Sequence, residues 1–249
     1  SSPERKDFVR RERNDLPSPA VYCLAFLIPF AVYAFTLAPG FALGDSGELI
    51  AGAATLGIVH PPGYSLFMLT GKLFLALPIP GDIAWRMNLF CALCGAFAVS
   101  LFCLLLKRVL RRLSVPDSVS SVSALAAAFL FAFSEAWWSQ CVVTEVYSLQ
   151  IAVVVGLLLA LERGRLDLAS FLMGLALIAH PGSAVILPIS VWIALTRGLP
   201  SFAQSLKNLL LFVLGVSPGA YVYLRGTGNP WQDWGRIRSV SDAATHLLR

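Results

Sequence analysis

Apolar runs approaching the length of a bilayer crossing recur from residue 20 to residue 224, and short basic clusters separate them. They cover residues 20–38, 63–79, 83–106, 119–133, 146–161, 166–179, 184–195 and 206–224. A membrane-spanning helix needs about 20 mostly apolar residues. The chain is 57% hydrophobic and only 13% charged, against about 25% charged in soluble domains. A charged side chain at the centre of a lipid-embedded helix costs about 2.5–3.5 kcal/mol, which accounts for the scarcity. The expected fold class is therefore all-α: a polytopic membrane helical bundle.

The net charge of +5 does not point to nucleic acid, because the basic residues sit mostly between apolar runs, as topology signals do. The arm at 1–19 carries Arg5, Lys6, Arg10, Arg11 and Arg13. If that arm is cytoplasmic, the run 20–38 leads outward. Were 63–79 to cross fully, 83–106 would deliver Lys107, Arg108, Arg111 and Arg112 to the outer side. If 63–79, interrupted by Lys72 and followed by Pro78 and Pro80, instead lies at the interface or re-enters, those residues, Arg163, Arg165 and Arg197 all become cytoplasmic. About seven full spans are expected, with one or two juxtamembrane helices in the first outer loop. The reading by segment is a cytoplasmic basic arm at 1–19, a transmembrane catalytic core at 20–224 and the start of a non-cytoplasmic segment at 225–249. Ser1 is not Met and no obvious stop precedes Arg249, so the chain reads as a piece of a longer protein. Its polar, basic start holds no cleavable signal peptide.

The topology gathers ionisable residues on the outer face: Asp45, Glu48 and His60 in the first outer loop, Arg86 at the start of a span, Glu135 and Glu145 around the second loop, His180 at a span end and Arg225 in the tail. Such groups are functional candidates by default. In Gly44-Asp45-Ser46-Gly47-Glu48, Asp45 reads either as the N-cap of a helix, with Glu48 in capping-box register, or as a general base. In His60-Pro61-Pro62-Gly63-Tyr64 the prolines and glycine fix a stiff bend, which is either a simple break between interfacial helices or a mount for His60 over a pocket. Trp137 and Trp138 suit an interfacial aromatic belt or a sugar platform. Glu145, at a helix start, gains from the helix dipole and faces the same compartment as Asp45. His180-Pro181-Gly182 breaks an apolar stretch, which is tolerated only beside protein or a wet cavity; His180 is either a helix-end residue or a donor to a phosphate. Cys91 and Cys94 form a C-x-x-C without the second Cys/His pair of a zinc site, so they and Cys23, Cys103 and Cys141 read as small apolar residues. There is no P-loop, dinucleotide fingerprint, H-E-x-x-H or nucleophile elbow, and so no support for a nucleotide-fuelled pump.

Thr36-Leu37-Ala38-Pro39-Gly40, the Asp45 motif, Leu56-Gly57 followed by the His60 motif, Arg86-Met87-Asn88-Leu89, Trp138-Ser139-Gln140 with Glu145-Val146-Tyr147, and His180-Pro181 occur in order. Together they resemble the multi-pass protein O-mannosyltransferases of the transmembrane protein 260 type and their bacterial relatives. The resemblance covers residues 20–234. It implies a GT-C-type glycosyltransferase core with its active site in the outer loops, and a polyprenyl- or dolichyl-phosphate sugar as donor. It maps the family's loop base onto Asp45 and a second acidic position onto Glu145.

The expected activity is transfer of a sugar, mannose by resemblance, to Ser/Thr hydroxyls of an acceptor protein, with inversion in a single displacement. Asp45 acts as base, with Glu48 and Glu145 orienting sugar or acceptor. His180, Arg86 and Arg225 are expected to bind the donor phosphate, and His60, Tyr64, Trp138 and Tyr147 to line the substrate site. No cofactor or metal is expected, although carboxylates and histidines converge. The enzyme would work in a bacterial cytoplasmic membrane or the endoplasmic reticulum, with its site on the non-cytoplasmic side. The rival readings are a transporter or lipid flippase, which often shows internal repeats absent here, and a same-fold transferase acting on a lipid or glycan.

Overall fold

The computed structural model describes residues 19–196 and 201–248. The basic arm, except Pro19, and Arg197 lie outside the described residues. The ordered elements are helices: α1 (Pro19–Phe35), α2 (Ser46–Thr55), α3 (Ser65–Leu75), α4 (Ile83–Arg112), α5 (Asp117–Ala132), α6 (Glu135–Cys141), α7 (Tyr147–Glu162) and α8 (Leu166–Ala179). A 3₁₀ turn then leads into α9 (Leu187–Leu195), followed by α10 (Phe202–Val216), a second 3₁₀ turn, α11 (Ala220–Gly226) and α12 (Val240–Leu247). No strand occurs among the described residues, and a lone parallel bridge joins Ile58 to Asp233.

Local chemistry sets the helix ends. Asp82 accepts from the Trp85 N–H at 2.8 Å and opens α4, as an N-cap should. Ser239 and Asp242 form a reciprocal capping box on α12. Leu56, in the left-handed region at φ 54°, closes α2.

α4, 30 residues long, is the axis of the molecule and packs against α1, α5 and α7; α8 then packs on α7, and α10 on α8. The last contact depends on two glycines. A Cβ on Gly215 would meet the Phe171 carbonyl oxygen, and one on Gly174 the Phe212 carbonyl oxygen. Small residues that let backbones touch are the usual adhesive between helices in lipid.

Among the described residues, two helices are long and apolar enough to cross a membrane: α4, and the stretch Phe202–Gly226 that joins α10 to α11. The pair α5–α6 makes a third if its 69° bend is accepted within one span. α1, α3, α7, α8 and the stretch Pro181–Ile193 are apolar but shorter, at 10–17 residues. The run 63–79 becomes α3, of 11 residues, or about 16 Å at 1.5 Å per residue, and it ends before Pro78.

The two ends of the bundle differ in charge. At one end Arg112 pairs with Glu162 at 2.7 Å, Arg108 also meets Glu162, and buried Lys107 pairs with Asp117 at 3.2 Å. At the other end the loops before α2, α3 and α7 and the break after α8 converge. Asn88, fully buried on α4, ties two of these loops together: its amide donates to the Ala38 and Gly40 carbonyls at 2.9 Å each, and its oxygen accepts from Thr144 at 2.6 Å.

Candidate active site

Asp45 stands at the N-cap position of α2, yet its side chain makes no capping bond. Glu48 is not in a capping box either: both its oxygens go to His60. Oε1 accepts from the His60 backbone N–H at 2.7 Å, and Oε2 lies 2.9 Å from Nδ1. The capping reading of this motif is thus corrected. Glu48 bonds across the Gly57–His60 turn instead of back to its own helix start, and the Asp45 carboxylate, 58% exposed, has His60 Nε2 beside it at 3.6 Å.

The bend after His60 turns the chain into α3. Gly63 takes φ +83°, and a Cβ there would lie 3.1 Å from Val222 and 3.2 Å from His246. Glycine is therefore required both for conformation and for space. The bend brings Tyr64 edge-on to the His60 ring, with centroids 5.2 Å apart. Tyr64 also stacks on His180 at 5.8 Å, and Tyr147 contacts the same imidazole at 5.6 Å. Burial, then the neighbouring Tyr147 and Asp45, push the Tyr64 phenol up to about 12. It therefore stays a hydrogen-bond donor at neutral pH.

His180 is held differently from His60. Its Nδ1 accepts from the Gly182 backbone N–H at 2.9 Å, which puts the ring hydrogen of the neutral form on Nε2. Burial lowers its pKa, favouring that neutral form. The following turn is pinned by buried Gln150, which donates to Ser183 at 3.1 Å. Glu145 completes the group. Burial raises its pKa first, and the Asp45 charge adds to the rise, while His60 opposes it.

Asp45, Glu48, His60, Tyr64, Glu145, Tyr147 and His180 are thus gathered at one end of the bundle. The remaining sequence candidates are committed elsewhere. Arg86 donates to the Leu75 and Leu77 carbonyls, the latter at 2.7 Å, where α3 ends. Arg225 donates to the Leu56 carbonyl at 2.7 Å and the Thr55 carbonyl at 3.3 Å, where α2 ends. Both donate to backbone carbonyls at or just past a helix end, where intrahelical partners run out. Trp138 packs on Phe133 and donates to Thr36 Oγ1 at 3.0 Å.

Sequence reasoning missed the contribution of the tail. Ile58 N–H donates to the Gln232 carbonyl at 2.8 Å, and the Trp234 N–H to the Ile58 carbonyl at 3.1 Å. This carries the Trp234 ring to 6.3 Å from His60. His246, buried on α12, bonds the Val59 carbonyl at 3.0 Å. The readable signal was the capping box at Ser239, which announces a helix in a segment otherwise read as polar.

Ligand atoms of Asp45, Glu48 and His60 lie within 4.8 Å of one another, close enough to share an ion. Glu48 and His60 already satisfy each other, however. An open apolar groove of about 570 Å³ follows α2, lined by Phe41, Gly47, Ile50, Ala54 and Ile83 among others.

The described residues thus form a helical chain with apolar helices long enough to cross a membrane, and carboxylates, imidazoles and phenols converge at one end. The model of the family described as "Protein O-mannosyl-transferase TMEM260 N-terminal domain" matches residues 45–201, and the chain belongs to that family. The match begins at Asp45 and takes in every residue of the cluster; it leaves out Arg225, Trp234 and His246. The mouse protein named Protein O-mannosyl-transferase TMEM260 is 36% identical, over 88% of this chain and 32% of its own length. The Dictyostelium discoideum protein of the same name is 26% identical, over 99% of this chain and 33% of its own. The chain thus spans about a third of the curated relatives it matches. No solved structure matches it. The family expected from the order of the motifs is therefore the family found.

Proposed function

We propose that this chain is the catalytic membrane part of a protein O-mannosyltransferase, using a polyprenyl- or dolichyl-phosphate sugar as donor and Ser/Thr hydroxyls as acceptors. The observation that carries the reading is the Asp45 carboxylate, exposed and released from helix capping at the centre of the cluster. Asp45 takes the acceptor's proton as the hydroxyl oxygen attacks the anomeric carbon, and the lipid phosphate leaves from the opposite face, inverting that centre. A phosphate leaving group needs charge stabilisation and no general acid. The Nε2–H of His180, between two tyrosines, is the donor placed to supply it. The groove along α2 suits the first isoprene units of the carrier.

The shorter apolar helices complete about seven crossings when packed beside α4, with α2 and α3 lying at the surface. The arginine-rich end is then cytoplasmic and the cluster faces the other compartment, by the positive-inside rule. Transfer proceeds without a divalent metal.

The test uses sealed vesicles holding the full-length parent protein, radiolabelled polyprenyl-phosphate mannose and a Ser/Thr peptide mixture, with and without EDTA. The reading predicts label in peptide, unchanged by the chelator. Carrier-dependent accumulation of label in the lumen with none in peptide would replace the enzyme by a transporter.

A further inference from the structure

We propose that His60 is the proton relay behind Asp45, held in its working tautomer by Glu48; this rests on the reading of Asp45 as base. Glu48 uses both oxygens on this one residue, at 2.7 Å to the backbone N–H and 2.9 Å to Nδ1. With Glu48 accepting at Nδ1, the neutral ring carries its hydrogen there and leaves the lone pair on Nε2. Nε2 in turn faces Asp45 Oδ2 at 3.6 Å. That is longer than a hydrogen bond, but catalytic contacts of this kind commonly tighten when substrate binds. If Glu48 only stapled a loop, the backbone bond would suffice. It would not account for an imidazole locked so that its one basic nitrogen faces the base.

Every element packed around the ring contributes to its surroundings. Asp45 and Glu48 come from the start of α2, Tyr64 from the start of α3 and Trp234 from the tail. Glu145 acts on it from the loop before α7, and His180 lies beyond Tyr64. In the reaction, the acceptor oxygen bonds to the anomeric carbon while that carbon's bond to the phosphate oxygen breaks, its electron pair leaving with the phosphate. The hydroxyl proton moves to Asp45 Oδ2 and on to His60 Nε2. Imidazole is ordinarily the stronger base by about 2–3 pH units, so the second transfer runs downhill. It restores the Asp45 carboxylate and leaves an imidazolium between two carboxylates.

The experiment measures kcat and donor KM from about pH 5 to 9 on the full-length parent in membranes, for wild type, His60→Asn and Glu145→Gln. Asparagine keeps an N–H donor near the Nδ1 position for Glu48 but cannot take up a proton. The relay predicts that His60→Asn lowers kcat about a hundredfold, within the usual span for proton-transfer groups. Donor KM should stay within about twofold. The variant should also lose the acidic limb of the wild-type kcat profile, and Glu145→Gln should retain it. His60→Gln, judged by the same criteria, serves if the asparagine variant does not fold. Wild-type kcat with its acidic limb intact in the variant overturns the relay. So does a raised KM at unchanged kcat, which would make His60 a substrate contact. A wild type that transfers no sugar removes the proposed function itself, and the relay with it.

Discussion

Glu145 illustrates how a single side chain reports on the whole site. Its pKa is raised by burial and by the Asp45 carboxylate, so the folded protein holds this proton to a higher pH than the unfolded chain does. Between the two pKa values the folded state binds more protons, and stability falls as pH rises through that window. Glu145→Gln keeps the shape without the ionisation. It should raise the melting temperature relative to wild type at pH 8 and bring little or no gain at pH 5, by thermal unfolding in detergent; an equal effect at both values would contradict the assignment. Much at this scale was legible. Carboxylates and histidines beside Pro and Gly in apolar surroundings stood out, and Asp45, Glu48, His60, Glu145 and His180 do converge. Arg86 and Arg225 were not legible in the same way. Each ends on backbone carbonyls near a helix end, those of Arg225 lying 169 and 170 residues away in sequence, and only the fold brings these groups together. His246, on a short amphipathic helix, gave no motif to read.

At the scale of elements, apolar pattern located the helices but did not set their ends. The run 63–79 contracts to α3 because Gly63 and Tyr64 take positive φ and the helix stops before Pro78. The run 119–133 continues, past a bend at Phe133 and Ser134, into α6. The tail shows the same limit: its pairing with Ile58 depends on contacts across more than 170 residues of chain. The α8–α10 seam is the element-level feature most open to test. Gly215→Leu has no room beside the Phe171 carbonyl and must push the helices apart. Overpacking of this kind costs about 1–3 kcal/mol or more. The variant should unfold at lower temperature than wild type in detergent, while Ala203→Leu, at an exposed position of the same helix, should not. Equal melting of the Gly215 variant and wild type would show that the seam is not close-packed.

For the molecule as a whole, one arrangement links charge, packing and chemistry. α4 and α7 both start at the cluster and end at the arginine-rich face, and α5 and α8 return. Arg108, Arg112 and Glu162 lock one end, while Asn88, Gln232 and His246 draw the first loop, the second loop and the tail together at the other. The polar site thus lies at one end of an apolar helical bundle, the arrangement that the proposed transfer from a lipid carrier calls for. The account stands on Asp45 as the base of that transfer. The deciding measurement compares wild type and Asp45→Asn in the full-length parent, with polyprenyl-phosphate mannose and a Ser/Thr acceptor, after equal thermal stability of the two has been shown. The account predicts label in the acceptor for wild type and a loss of at least a hundredfold in the variant. Transfer at the wild-type rate by a folded Asp45→Asn enzyme would contradict it.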